Sequence, residues 1–328
     1  MSRSARSAIP RTLSRRAWLG GAAAWLGGPD WGSGSPSNAA NERTDDGDVL
    51  RLLGSDAERA GLKTLRTVRS RDFLALGDAP ERFLRLCLAD CQAVALDYID
   101  HFRAKGFDVA MPERRLTLGG LADERSYAAL VGKNLAAFTG AIYNRTKNYL
   151  VLYDYREAPA RQARSAYLNL RTLAHETTHQ LTFNTGLLNR DGDVPVCIVE
   201  GLGMYGEVRK VAGRTEPGQV NAPRLEDLAH GQRSQGWLPL AKLLSDDMLV
   251  RAGTKIRLTL AYAESWLLVH YHMKEPGRLP AFRAYLKAIH ARADRAHRLD
   301  DAETHLGDLD RLDGELRKYG TRLVRALP

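Results

Sequence analysis

The segment Ala174-His175-Glu176-Thr177-Thr178-His179-Gln180 sets two histidines four residues apart, with a glutamate beside the first. On a helix this spacing stacks both imidazoles on one face, within reach of a single metal ion. Glu176 is rotated by about 100° from His175, near enough to serve a metal-activated water without taking a ligand position. A catalytic zinc takes three protein ligands and keeps a fourth position open. A second segment, Cys197-Ile198-Val199-Glu200-Gly201-Leu202-Gly203-Met204-Tyr205-Gly206-Glu207, supplies the third ligand in Glu200, reached across the turn Asn189-Arg190-Asp191-Gly192. Glu207 returns to the Glu200 face of that helix to within about 20° and is placed to fix the tautomer of a ligand histidine. Gly201, Gly203 and Gly206 cost helix propensity, about 1 kcal/mol each. That cost fits a helix that must approach the first one closely. Two imidazoles and a carboxylate favour zinc, and the chemistry is metal-assisted hydrolysis with Glu176 as general base.

Other ligand assignments are weaker. Cys197 lies one helical turn before Glu200, but a fourth protein ligand would close the position that water needs. Asp191 and Asp193 lack the spacing of a calcium loop and read as a solvated turn. Without a metal, the same segments would bury histidines and glutamates with nothing to compensate them.

The elements that must position these side chains are legible from periodicity. Leu62 to Leu76 predicts one or two strands, ended by the turn Gly77-Asp78-Ala79-Pro80. Residues 81–104 carry apolar positions at helical spacing, and Gly106 ends that helix. Extended segments follow at Arg115–Leu118, Ala137–Tyr143 and Tyr149–Tyr153, with a short helix at Glu124–Val131. The turn Asn144–Asn148 predicts a hairpin between the last two strands. Helical periodicity then dominates 161–183, 198–211, 260–273, 279–292 and 300–319. Gly186 is the natural exit from the first of these. Strands in front and helices behind make an α+β fold, with a mixed lobe at 61–156 and a helical lobe at 157–328.

Residues 1–39 read as an export signal, and 40–60 as a polar, flexible linker. The signal reading rests on Ser14-Arg15-Arg16-Ala17-Trp18-Leu19-Gly20 and the uncharged run from Ala17 to Gly28. That order resembles a twin-arginine signal, which implies a periplasmic or extracellular destination after folding. No segment is long and apolar enough to serve as a transmembrane anchor. The chain has 328 residues and a formal charge of +9, of which +4 belongs to residues 1–39. The remaining basic residues are scattered rather than interleaved with aromatics, which argues against a nucleic-acid surface. Cys87, Cys91 and Cys197 are an odd set for an exported protein and read as buried small hydrophobes.

The two ligand segments resemble the gluzincin (thermolysin-like) zinc peptidases, in which the first motif helix is followed by a helix bearing a glutamate ligand. The likeness is closest to the peptidase-MA-like group and, within it, to the domain-of-unknown-function 1570 family. It is carried by Arg115–Tyr127, Gly140–Arg156, His175–Gly186, Val199–Glu207, Gly236–Leu240 and Ala261–His270, which together span most of 62–319. The resemblance implies a zincin-like domain over 61–328, one zinc ion between its lobes, and a peptide or protein substrate. It also implies a downstream donor to the developing oxyanion. Tyr262 is the first candidate for that role, with His270 and His272 behind it. The strand Thr139–Tyr143 resembles the edge strand along which such enzymes bind extended peptides. Two readings compete with a peptidase: a zincin fold kept for binding peptides or cell-wall fragments, and a hydrolase of non-peptide amides. An intact Glu176 argues against the pure binder.

Overall fold

The computed structural model describes residues 46–136, 140–154, 162–208 and 216–327. Helix α1 (Asp46–Arg59) leads into strands β1 (Arg66–Arg69) and β2 (Phe73–Gly77), and helix α2 (Glu81–Ala104) into β3 (Leu116–Leu121). Helices α3 (Glu124–Val131) and α4 (Lys133–Ala136) precede the hairpin of β4 (Ala141–Asn144) and β5 (Tyr149–Tyr153). The five strands form one mixed sheet in the order β1-β2-β3-β5-β4, with β2, β3 and β5 parallel and both outer strands antiparallel.

The central strands are apolar at nearly every position because both faces of the sheet are covered. Leu150 and Leu152 of β5 face the large core with α2, while Tyr149 and Val151 join Leu53 of α1 and Tyr127 of α3 on the other side. Here the chain departs from its sequence reading. The stretch 40–60 is not all linker: α1 occupies 46–59, and Leu53 is 1% exposed against the sheet. Its polar composition belongs to the outer face, while Asp56 points inward to accept hydrogen bonds from Lys147 Nζ at 2.8 Å and from Tyr149. The expected hairpin is present, with Asn148 in the left-handed region at φ 57°. Residues 1–39, where the export signal was read, lie outside the described residues.

The helical part begins with α5 (Gln162–Asn184), followed by α6 (Val196–Gly206), α7 (Ala222–Gln235), α8 (Leu240–Ser245) and α9 (Met248–Arg251). Then come α10 (Lys255–Lys274), α11 (Leu279–His290), α12 (Arg298–Leu306) and α13 (Leu309–Arg325). The helix read over 300–319 is two helices: Gly307 turns at φ 90°, and the Asp308 side chain caps α13 by accepting from Arg311 N. α10 is the axis of this part, with every residue from Leu260 to Met273 buried. A helix enclosed on all sides has no polar face.

α5 packs on α2, β4 and β5 on one side and on α6 on the other, so it joins the two parts. The start of α6 is fixed by Asp247, which accepts from Val196 N at 3.1 Å and from Arg298 Nη1 at 2.8 Å. Asp193 accepts from Arg298 Nε at 2.6 Å and so serves ion pairing, while Asp191 is exposed as a solvated turn residue. Among the described residues, no helix is long and apolar enough to cross a membrane.

Candidate metal centre

α5 and α6 bring His175, His179 and Glu200 together near the junction of the two parts, with their ligand atoms within 4.8 Å of one another. His175 Nε2 lies 3.0 Å from His179 Nε2, and Glu200 Oε2 lies 3.3 Å and 3.6 Å from these two nitrogens. A tetrahedral ion with bonds of about 2.0–2.1 Å requires ligand atoms roughly 3.3 Å apart. The observed spans bracket that value. None of the three residues is more than 3% exposed.

The donor chemistry fits a cation. Two imidazole nitrogens cannot face each other at this distance without a proton or a metal between them. Both Glu200 oxygens are buried without a hydrogen-bond partner among the described residues, as is His179 Nδ1. Burial alone would push the His175 pKa down, yet the nearby Glu200 and Glu207 carboxylates hold it up at about 10. Glu200 shows the converse: burial would raise it, but the two histidines hold it at about 2. The pocket therefore concentrates negative potential on one point, and a divalent ion arriving there would displace a proton.

Glu207, just past the end of α6, lies 3.0 Å from His175 Nδ1 through Oε2, which turns Nε2 toward the shared point. Its other oxygen accepts from Asn221 Nδ2 at 2.7 Å and from Arg171, and lies 3.4 Å from Arg224 Nε. Burial acts to raise this carboxyl, but Arg171, Arg224 and His175 hold it well below the ordinary glutamate range. Sequence reasoning found Glu207 but not Asn221, Arg171 or Arg224. Arg171 had a signal, since it precedes His175 by one turn of α5. Asn221 and Arg224 lie on the far side of residues 209–215 and had none.

Glu176 is 1% exposed, accepts from Tyr143 N at 2.7 Å through Oε2, and leaves Oε1 without a partner. Burial raises its pKa against the pull of both histidines. Tyr262 is buried on α10 with its hydroxyl unpartnered. Its pKa is driven well up by burial and then by the charges of Glu200 and Glu176, so the phenol lies in the field of both carboxylates. His270 and His272 are elsewhere. His270 Nδ1 lies 2.9 Å from the Tyr319 hydroxyl, and His272 Nδ1 lies 2.8 Å from the Leu268 carbonyl. Burial holds both at about 4, as neutral core side chains.

All three cysteines are buried and none forms a disulfide among the described residues, Cys91 Sγ lying 3.3 Å from Thr177 Oγ1. Cys197 is outside the ligand cluster, with its thiol pushed up by burial and by Asp247.

The glycines of α6 divide their work. A Cβ on Gly203 would stand 2.6 Å from His179 Cε1 and 2.9 Å from His175 Cε1. On Gly206 it would meet Thr178 Oγ1 of α5 at 2.3 Å, and on Gly201 the Ser265 carbonyl of α10 at 2.4 Å. Close approach to the first helix therefore accounts for two of the three. Gly203→Ala is expected to lower metal affinity by at least about tenfold, roughly 1.4 kcal/mol. Competition with a chelating dye measures this, and circular dichroism verifies that the fold survives. Unchanged affinity would show that the rings have room to give.

No curated protein matches this chain. Residues 169–293 are similar to a family described as a protein of unknown function (DUF1570), a stretch shorter than the 62–319 expected from the sequence but one that contains His175, His179, Glu200 and Tyr262.

Proposed function

We propose that the protein is an exported, zinc-dependent hydrolase that cleaves amide bonds in peptides or proteins. The observation that carries this reading is Glu176: a buried carboxylate with one oxygen engaged and the other unpartnered, next to a His-His-Glu cluster. A protein that only bound ligand would have no use for a base there. The order of the motifs resembles that of the gluzincin peptidases.

His175, His179 and Glu200 would hold the ion, which when bound supplies Lewis acidity to water and to the scissile carbonyl. Glu176 takes the water proton at Oε1 and returns it to the leaving amine. Its burial suits both halves of that task, because a carboxylate kept from water is a stronger base than a solvated one. Tyr262 donates its hydroxyl proton in a hydrogen bond to the carbonyl oxygen as negative charge grows there. A neutral phenol is required, and the raised pKa of Tyr262 keeps it neutral. Glu207 holds the His175 ring in place and takes no part in the proton transfers.

The test is hydrolysis of a peptide library by the full chain, before and after exposure to a chelator. Cleavage that stops on chelation and returns with one equivalent of zinc is expected. Metal-dependent turnover of simple amides without peptide cleavage would move the substrate to another amide class. No metal-dependent turnover of either kind would refute the hydrolase.

A further inference from the structure

Among the described residues β4 is an outer strand of the sheet, paired with β5 on one side only. Along such a strand, alternate N–H groups point to the free edge and are available to an added chain. Tyr143 N–H is one of them, but it is already engaged, donating to Glu176 Oε2 at 2.7 Å. A hydrogen bond to a buried carboxylate is among the stronger kinds.

This contact is held from both ends. The Tyr143 ring packs parallel to Phe183 with centroids 6.2 Å apart. Its hydroxyl lies 2.6 Å from the Asn148 side-chain amide and 3.3 Å from Asn184 Nδ2. Asn148 and Asn184 are themselves 2.8 Å apart through their amides. The hairpin is thereby bolted to the last turn of α5, the helix that carries Glu176 two turns earlier.

We propose that the backbone N–H of Tyr143 is the positioning group for Glu176, pinning Oε2 so that Oε1 alone faces the proton it must move. The inference rests on the hydrolase reading. It also changes how a substrate can bind: an extended chain laid along β4 finds this donor taken. Main-chain pairing along β4 then lacks one bond of the ladder, at Tyr143.

The direct test replaces the Tyr143 amide N–H by an ester oxygen in the full, zinc-loaded chain, using the α-hydroxy acid counterpart of tyrosine. The expected result is a kcat lower by about ten- to a hundredfold with KM and zinc content unchanged. The Glu176 carboxylate band, isolated as the infrared difference from Glu176→Gln, should shift as well. A raised KM with unchanged kcat would assign the donor to the substrate and overturn the proposal. So would unaltered kinetics with an unshifted band. Should the ester protein not fold, Tyr143→Phe keeps the N–H, removes one bolt, and should show a smaller effect with the same kcat-only signature. A wild-type chain without metal-dependent hydrolysis defeats the underlying reading before residue 143 is touched.

Discussion

Glu176→Gln is expected to lower turnover by about 10²- to 10⁴-fold while leaving zinc content at one per chain. Glutamine matches the carboxylate in size, and its carbonyl oxygen can still accept from Tyr143 N–H, so the pocket keeps its shape. What is lost is the capacity to carry a proton. Since Glu176 is not one of the three ligand residues, the ion has no reason to leave. Elemental analysis and kcat on the same preparation decide the matter. Activity within a few-fold of wild type would move the base elsewhere, and loss of zinc would make Glu176 a ligand.

The second large effect is expected at Glu207. Glu207→Ala leaves the Arg171 and Arg224 guanidiniums facing each other across an empty space, and Arg224 is only 4% exposed. Removing one partner from a buried ionic group costs up to about 3–5 kcal/mol, and here Arg224 keeps Asp227 at 3.6 Å, which offsets part of that loss. His175 also loses the group that orients it, for which about 10- to 100-fold in metal affinity is typical. Glu207→Gln should separate the two losses, since an amide can still accept from His175 Nδ1 and restore part of the affinity but little of the stability. Denaturant unfolding and zinc titration measure them independently. The pH dependence has a definite sign. The folded-state pKa of Glu207 is depressed well below 4.5, so its contribution is complete above the unfolded value and is lost progressively as the pH falls from there through the folded value. The stability gap between wild type and Glu207→Gln should therefore narrow as the pH falls below about 4.5. A gap independent of pH would mean that the carboxylate charge is not what the arginines require.

The amphipathic helices were legible because their burial is periodic, and the central strands because they are short continuous apolar runs bounded by turn residues. The strand Tyr149–Tyr153 and the helices at 81–104 and 124–131 have the bounds their patterns predict. α1 was misread because only Leu53, Ala57 and the inward-facing Asp56 are buried, so its composition looks like that of a linker. The break at Gly307 was missed because the apolar spacing of α12 and α13 runs through it, although Gly307 followed by the capping Asp308 is a stop-and-start signal. In the site, residues that share a helix with the motif carry a spacing signal, which was read for Glu176 but not for Arg171. The Tyr143 N–H carries no side-chain signature, and Arg224 joins through a tertiary contact that no one-dimensional pattern encodes.

The glycines of α6 also bear on the order in which the molecule assembles. A helix with three glycines among eleven residues is a poor nucleus, since each lowers local helix stability relative to alanine. The usual remedy is closed at all three positions, where a methyl group would strike Ser265, the paired imidazoles or Thr178. α6 must therefore borrow its persistence from the surfaces that clasp it, and it matures only after α5 and α10 have docked. Glu200 rides on that late element. A nascent or partly denatured chain offers an ion no more than a pair of imidazoles, and full coordination becomes a sign that folding has finished.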